Sequence, residues 1–270
     1  MEEHSFFSYK ALTKGTLLLL AIFTLFSAHA AKNVIHSPFE QIEQNLKLAQ
    51  QHSFVDYYPL QLKSNTETQK ITKPAIVLDG TYIIEGDIAV KKAFTGNEES
   101  ISGLATSYRG LWPGASVYYS ITNDFTDAEK FKIRQNMDVI EAVSIVRFYE
   151  RTNEYDYVQI FKGSGCWSYI GSIGGAQELS LGSGCLANST IQHELMHAIG
   201  IEHEQSRPDR DEYIQVLEDN IEPGQEGNFF INLSSYKVGE YDFNSIMHYS
   251  NYGFSRNGNP TILRLDNPDL

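Results

Sequence analysis

Cysteine is scarce in this chain, which has only two among its 270 residues. This scarcity excludes a disulfide-rich mini-scaffold and a zinc cluster built from four cysteines, and it leaves one disulfide or two free thiols. Basic residues are also few, because 21 lysines and arginines stand against 34 acidic residues and give a net charge of −13. A nucleic-acid-binding protein carries a basic footprint, so we expect no nucleic-acid partner.

No segment beyond residues 1–30 approaches the length of apolar chain that spans a membrane. Within them, Lys10 and Lys14 precede an apolar run at 17–26, and an Ala-His-Ala pattern ends at Ala30. The alternative is an N-terminal membrane anchor that stays attached, and it needs a longer apolar run. We therefore predict a signal peptide cleaved after Ala30, a secreted or periplasmic protein, and no stable membrane insertion.

The two cysteines lie in one glycine-rich stretch. Export to an oxidising compartment favours a disulfide between Cys166 and Cys185 over two free thiols. Such a bridge closes a loop of about 20 residues and, if unstrained, stabilises the fold by roughly 3 kcal/mol.

Hydrophobic periodicity predicts a small upstream region after the signal peptide. An amphipathic helix is predicted from Pro38 to about Gln51, followed by a polar linker over 63–73. Two short strands, 75–78 and 81–84, flank an Asp-Gly pair that is typical of a hairpin turn.

The main domain is predicted to start near Trp112. Strands are expected over 117–121, 145–149 and 157–161. A capping box at Thr126 opens a helix whose inner face carries Ile133, Met137 and Ile140, and a second helix starts at about Ser189. Few regular elements are expected beyond Gly200.

The segment from His193 to His203 reads His-Glu-Leu-Met-His-Ala-Ile-Gly-Ile-Glu-His. His193 and His197 are four residues apart, so on a helix their imidazoles share one face and can share a metal. Glu194 lies beside the metal, where it can act as general base and acid for the attacking water. Gly200 can end the helix in a left-handed turn that lets His203 supply a third nitrogen.

Three protein ligands leave one position open, which is typical of a catalytic zinc site. We therefore predict one catalytic zinc ion per chain. The alternative is a helix whose surface histidines bind nothing, and the extended spacing argues against it.

This extended motif, with Glu204 after the third histidine, resembles the astacin family of zinc metallopeptidases within the metzincins. Further segments match the family from about Trp112 to Leu265. They are residues 112–113, 147–148, 165–169, 179–181, 184–185, 204–214, 220–221, 223–224 and 245–249.

The resemblance implies an α+β metzincin (zincin) fold, with a twisted mixed sheet, two long helices above an active-site cleft and an irregular lower subdomain. It implies that Met247 forms a hydrophobic floor beneath the imidazoles. Tyr249 would be a switchable extra zinc ligand that swings away and stabilises the developing oxyanion, since a phenol can donate to an alkoxide. Glu204 would anchor the mature N-terminus through buried polar contacts.

The resemblance also implies that one strand borders the cleft and pairs with extended substrate. Main-chain pairing is independent of side-chain sequence and therefore suits protein or peptide substrates. The strand consists of Cys166, Trp167, Ser168 and Tyr169.

Upstream, Ile84-Glu85-Gly86-Asp87 is similar to the family's prosegment motif Phe-x-Gly-Asp, with isoleucine in place of the aromatic residue. The resemblance implies that Asp87 ligates zinc in place of water and keeps a precursor latent; the alternative is a turn with Asp87 in solvent. It divides the chain into a signal peptide (1–30), a prosegment (31–101, with its boundary somewhere in 91–110) and a catalytic domain (102–270).

Two features depart from the family. The second disulfide of the family is missing from this chain. Ile145 stands near the position of its first cysteine, and the chain ends before the position of its second. The catalytic domain is therefore expected to be short at its C-terminus, which leaves the substrate preference of the primed side open.

Three functions follow from these observations. The leading one is a secreted, monomeric zinc endopeptidase made as a latent precursor and matured by an activating protease. The second is a catalytically silent, zinc-stabilised protein-binding module, which the presence of Glu194 and Tyr249 argues against. The third, zinc-dependent hydrolysis of a non-peptide bond, is disfavoured by the substrate-strand resemblance.

Overall fold

A large mixed sheet and two helices form the frame of the protein. The computed structural model describes residues 55–63, 68–90, 110–233 and 235–267. The helices are α1 (Asp127–Val143) and α2 (Asn188–Ala198). The strands are β1 (Val55–Lys63), β2 (Thr68–Leu78), β3 (Thr81–Ile84), β4 (Ile88–Val90), β5 (Ser116–Ile121), β6 (Arg147–Glu150), β7 (Tyr157–Phe161), β8 (Cys166–Tyr169), β9 (Ala176–Leu181), β10 (Ile214–Val216) and β11 (Ile262–Arg264).

Nine of these strands form one sheet in the order β1-β2-β3-β4-β8-β9-β7-β5-β6. Strand β5 pairs in parallel with β6 and β7, and β7 pairs in parallel with β9, whereas β8 runs antiparallel to β9. Helix α2 packs against α1 and against β8. The predicted α+β architecture, with a mixed sheet and two helices, is confirmed.

Helix α1 begins at the predicted capping box. The Thr126 hydroxyl accepts the Glu129 amide at 3.3 Å, and the Glu129 carboxylate accepts the Thr126 amide at 2.7 Å. The helix buries Ile133, Met137 and Ile140, as predicted, in a core that it shares with the sheet and α2.

The strand predicted over 145–149 begins two residues later. Ser144 ends α1, donates its hydroxyl to the Ile140 carbonyl at 2.7 Å and accepts the Val146 amide at 3.2 Å. These hydrogen bonds of the Ser144 hydroxyl occupy backbone groups, including the Val146 amide, that could otherwise pair with a neighbouring strand. Ile145 is half exposed.

The upstream strands (β1–β4) contain the predicted hairpin. Asp79 and Gly80 join β2 to β3, with φ values of +50° and +85°. Two left-handed residues in a two-residue loop match the twist of the flanking strands.

The linker predicted over 63–73 is wrong. Strand β1 pairs with β2 antiparallel, from Val55 opposite Ile76 to Lys63 opposite Thr68. A two-stranded ladder satisfies its backbone groups whatever its side chains are, so polar composition alone did not reveal it.

Cys166 in β8 and Cys185 in the loop before α2 form the predicted disulfide, and both are fully buried. The bridge closes a separation of 19 residues and ties β8 to the approach of the helix.

Beyond Gly200 the chain is largely irregular, as predicted. Short 3-10 turns occur at Glu204–Ser206, Arg210–Glu212, Glu218–Asn220 and Glu226–Phe229, and β10 pairs with β11. An aromatic cluster gives this half its own core, which contains Phe229, Tyr241, Tyr249 and Phe254.

The predicted signal peptide and the helix over 38–51 lie outside the described residues, as does nearly all of the predicted maturation region, 91–110. Among the residues that the structure describes, no helix combines the length and apolar character needed to cross a membrane.

The capping box makes a testable contribution to stability. Thr126→Ala removes the oxygen that accepts the Glu129 amide, and we expect the free energy of unfolding to fall by about 1 kcal/mol. Thr126→Ser keeps the hydroxyl and should stay close to the wild type. Urea unfolding followed by circular dichroism measures both, and equal destabilisation by the two variants would contradict this role.

Candidate metal centre and cleft

Helix α2 presents the first two histidines on one face. His193 and His197 are both buried, and their ring centroids lie 4.6 Å apart. The helix ends at Ala198, and Gly200 has a φ of +108°, which is in the left-handed region that glycine favours. The turn brings the buried His203 within 4.9 Å of the His197 ring, so the three predicted residues do come together.

Each imidazole is held by its outer nitrogen. His193 Nδ1 donates to the Ile246 carbonyl at 2.6 Å, and His197 Nδ1 donates to the Ile201 carbonyl at 2.7 Å. His203 Nδ1 lies 2.9 Å from a carboxylate oxygen of Glu85. These partners accept and do not donate, so each neutral ring carries its proton on Nδ1 and has its lone pair on Nε2.

The three Nε2 atoms converge on Asp87. Asp87 Oδ2 lies 3.0 Å from His193 Nε2, while Asp87 Oδ1 lies 3.2 Å from His203 Nε2 and 3.7 Å from His197 Nε2. Asp87 is completely buried, so the alternative in which it faces solvent is wrong.

This donor set fits a zinc ion. Lone pairs facing a carboxylate are mutually repulsive unless a cation lies between them, and in the described structure Asp87 Oδ1, His197 Nε2 and His203 Nε2 have no hydrogen-bond partner. A tetrahedral site with bonds of about 2.0–2.1 Å has ligand atoms about 3.3 Å apart. The four ligand atoms all lie within 4.8 Å of one another, and they could hold one metal ion.

Electrostatics in the cluster favour a bound cation. Burial lowers the pKa of His197 to about 4, which keeps its imidazole neutral. Burial opposes ionisation of Asp87, but the neighbouring His203, together with His193 and His197, holds the pKa of Asp87 well below its usual range. Against the effect of burial, Asp87 and Glu85 raise the pKa of His203 to about 9, so a metal that binds there displaces a proton.

Two predicted catalytic residues border this cluster. Glu194 is fully buried and follows His193 in α2. The Tyr249 ring lies 5.0 Å from the His203 ring, and its hydroxyl donates to the Glu85 carbonyl at 2.7 Å. Burial raises the pKa of Tyr249 well above its usual range, so the hydroxyl keeps its proton.

The turn at 245–249 connects the metal cluster to the irregular part of the chain beyond Gly200, which we call the lower half. Its Ile246 carbonyl holds His193, and the buried Met247 accepts the Glu204 amide through its own carbonyl at 2.9 Å. His248 is buried and lies 2.7 Å from the Tyr241 hydroxyl, which is consistent with a structural role.

Glu204 is buried among polar groups. Its carboxylate accepts Arg207 Nη1 at 2.8 Å and the Asp242 amide at 3.0 Å. That Glu204 anchors a mature N-terminus stays a prediction. That Met247 forms a hydrophobic floor beneath the imidazoles also stays a prediction.

The predicted substrate strand is β8, and β4 lies along its edge. The two strands pair in parallel, with Ile88 opposite Ser168 and Ala89 opposite Tyr169. Ser168 donates its amide to the Asp87 carbonyl at 3.0 Å. Trp167 packs in an apolar cluster with upstream residues such as Ile76.

Sequence reasoning missed Glu85 and Lys73. Glu85 is 3% exposed, forms an ion pair with the buried Lys73, and accepts the Ser206 hydroxyl at 3.4 Å in addition to the His203 contact. Lys73 and His203 lower the pKa of Glu85 to about 2, although burial opposes this. The sequence does contain a signal for Glu85, because a charged residue stands there between an apolar strand and a Gly-Asp turn.

The sequence of this chain is similar to known proteins over much of its length. The sequence model of the peptidase family described as Astacin matches residues 105–269. Blastula protease 10 of Paracentrotus lividus is 42% identical over 194 residues, which cover 67% of this chain and 32% of that protein. Zinc metalloproteinase nas-14 of Caenorhabditis elegans is 31% identical over 296 aligned residues, which cover 98% of this chain and 56% of that protein.

Among solved structures, high choriolytic enzyme 1, a hatching enzyme zinc-protease from Oryzias latipes, is similar with a TM-score of 0.53 and 34% identity. The match covers 67% of this chain and 88% of the solved chain. The chain therefore spans most of that solved structure but only about a third to a half of the length of most curated relatives it matches.

The histidine cluster predicts metal content. We expect the purified full-length chain to retain about one zinc ion after dialysis, since three imidazoles and a carboxylate complete a tetrahedral site. His197→Ala should lose most of it, whereas Glu222→Ala, which changes an exposed residue outside the cluster, should retain it. Elemental mass spectrometry measures zinc per chain, and full zinc content in His197→Ala would contradict the assignment.

Proposed function

The chain belongs to the astacin family of peptidases, and from this membership we propose that it is a zinc endopeptidase that hydrolyses peptide bonds in proteins. The observation that carries the proposal is the convergence of three histidine Nε2 atoms next to a buried glutamate. His193, His197 and His203 would hold the zinc. When bound, zinc supplies the positive charge that polarises a water molecule and the scissile carbonyl.

The chain's own residues supply the proton transfers. Glu194 takes a proton from the attacking water and delivers it to the leaving amine. The protonated hydroxyl of Tyr249, which donates to a backbone carbonyl in the present structure, is suited to donate to the oxyanion of the tetrahedral intermediate once that carbonyl has left.

Strand β8 would bind the substrate backbone. It is four residues long and lies at the junction where the upstream strands meet the rest of the sheet. An extended peptide that takes the place of β4 gains main-chain hydrogen bonds without regard to its side chains, which suits a protein substrate.

We further propose that the chain is a latent precursor, with residues 31–101 as its prosegment. Two contacts support this: Asp87 lies at the position of the fourth ligand, and β4 covers the edge of β8. The alignment with nas-14, which covers nearly the whole chain, supports a shared upstream region. A signal peptide over 1–30 would export a monomeric precursor, and an activating protease would cleave within 91–110.

Glu194→Gln tests the catalytic proposal. Because general acid–base catalysis contributes about 10²- to 10⁴-fold, we expect proteolysis of denatured casein by the matured protein to fall by that factor. A zinc chelator should abolish the wild-type activity. Glu222→Gln, which changes an exposed carboxylate of the lower half, is the matched control.

Equal zinc content in both variants is required for that comparison. Absence of chelator-sensitive cleavage by the wild type would contradict the peptidase proposal and favour the silent binding module.

Asp87→Ala tests the latency proposal. Removing the carboxylate vacates the fourth ligand position, and we expect the uncleaved precursor to gain activity by about tenfold, the effect of losing one interaction of about 1.4 kcal/mol. Asp87→Asn, which keeps the shape and removes the charge, should also gain activity. Hydrolysis of a fluorogenic protein substrate measures the gain, with gel electrophoresis to verify an intact chain, and unchanged latency in both variants would refute the switch.

A further inference from the structure

The upstream strands cover an aromatic surface that is separate from the metal cluster. Trp167 of β8 is completely buried, and its ring packs edge-on against Phe161 and Tyr169, with centroids 5.6 Å and 6.5 Å away. None of these three residues is a ligand of the candidate metal site. The side chains that pack with Trp167 from the upstream strands are aliphatic, and they are Ile76, Leu78, Ile83 and Ala89.

The hairpin of β2 and β3 presents one face to this aromatic surface. Ile76 and Leu78 are two residues apart in β2 and therefore point to the same side of the strand. Val77 points to the other side and is 37% exposed, whereas Leu78 is 2% exposed. Burial of aliphatic side chains against an indole ring removes apolar area from water, which favours the contact without help from a metal.

The tip of the hairpin adds a polar contact. Asp79 accepts the Ser164 amide through Oδ2 at 2.6 Å and the Ser164 hydroxyl through Oδ1 at 2.9 Å. The Ser164 carbonyl in turn accepts Trp167 Nε1 at 3.1 Å, which orients the indole ring. Gly163 permits this close approach, because a Cβ atom there would lie 2.6 Å from Asp79 Oδ2. The hairpin therefore fits this loop by shape and by hydrogen bonds.

A cut in the chain would leave these contacts in place. The contacts to Trp167 and Ser164 are non-covalent, and the proposed maturation region, 91–110, follows every upstream residue that makes them. Cleavage there converts an intramolecular contact into binding between two fragments, with an affinity that the same contacts set. A docked hairpin also keeps β4 beside β8, since β3 pairs with β4.

We propose that the aromatic surface around Trp167, together with Ser164, is a docking surface for the β2–β3 hairpin that holds it without the metal. After cleavage the upstream fragment stays bound there and covers strand β8, so activation needs dissociation of the fragment as a second step. The proposal rests on the proposed latent precursor and extends it. Asp87 makes the contact to the metal site, and the hairpin retains the fragment.

A single defined cut tests retention of the fragment. In the full chain carrying Glu194→Gln, which removes the proposed general base, a thrombin recognition sequence replaces residues 95–100. Thrombin separates the chain at that point, and denaturing mass spectrometry verifies the cut. A dye on the N-terminus of the upstream fragment reports by fluorescence anisotropy how much fragment remains bound on dilution, which gives Kd.

We expect the fragment to remain bound in the Asp87→Ala chain, with a Kd of about 10 μM or below. Leu78→Ala removes aliphatic area from Trp167 and should weaken binding about 30-fold, whereas Val77→Ala, on the exposed side of the same strand, should change Kd less than about threefold. Asp79→Asn tolerates the left-handed turn but loses one of the two accepting oxygens, so it should weaken binding about tenfold.

Release of the Asp87→Ala fragment on cleavage would overturn the proposal, because the metal contact would then be what holds the upstream strands. Equal Kd values for Leu78→Ala and Val77→Ala would also overturn it, since only one of these side chains faces Trp167. Asp79 lies in an exposed turn, so Asp79→Asn decides the question if Leu78→Ala does not fold. An unchanged Kd is then the contradicting result.

Failure of the peptidase proposal would look different. The cut chain with Glu194 intact is diluted through its Kd and incubated with denatured casein, with and without a zinc chelator. We expect chelator-sensitive cleavage per molecule to rise as the fragment dissociates, and full activity while the fragment is still bound would overturn the second step. Absence of cleavage after complete dissociation rejects the peptidase function, while the Kd values still decide the docking surface.

Discussion

Three imidazole rings can share one metal only if each is prevented from rotating, and here the restraint on every ring comes from its Nδ1 proton. The three acceptors belong to different parts of the chain: Ile246 to the lower half, Ile201 to the turn after α2, and Glu85 to the upstream strands. The same three hydrogen bonds put the Nε2 lone pairs on the inside, where a cation is required. The metal centre therefore joins all three parts of the fold.

The turn between β3 and β4 controls both the metal and the cleft. Glu85 and Gly86 have φ values of +53° and +86°, which make the reversal tight. The carboxylates on either side of the glycine consequently reach opposite faces of the histidine cluster, Glu85 at an outer nitrogen and Asp87 at the inner ones. Because Asp87 also accepts the Ser168 amide through its carbonyl, the strand pairing and the metal contact arise from one short segment.

Much of the fold and the site was predictable because its determinants are local. The spacing of His193 and His197, the glycine that follows α2, the capping box and the Asp-Gly hairpin are each encoded within a few residues. The pairing of β1 with β2 was not, since β2 begins with polar residues, Thr68, Gln69 and Lys70, that are equally typical of a loop. The contact of Glu85 with His203 spans 118 residues, and only the assembled sheet brings these residues together.

The parallel pairing of β4 with β8 has a consequence for the proposed maturation, in which the upstream strands leave. Strand β8 would then become a free sheet edge, and such edges invite pairing with other chains and aggregation. This edge is only four residues long, and the disulfide at its first residue fixes it to the approach of α2. A short, immobilised edge would offer the extended peptide of the proposed function a place to bind, while a ladder of this length would contribute little to pairing with a second copy of the protein.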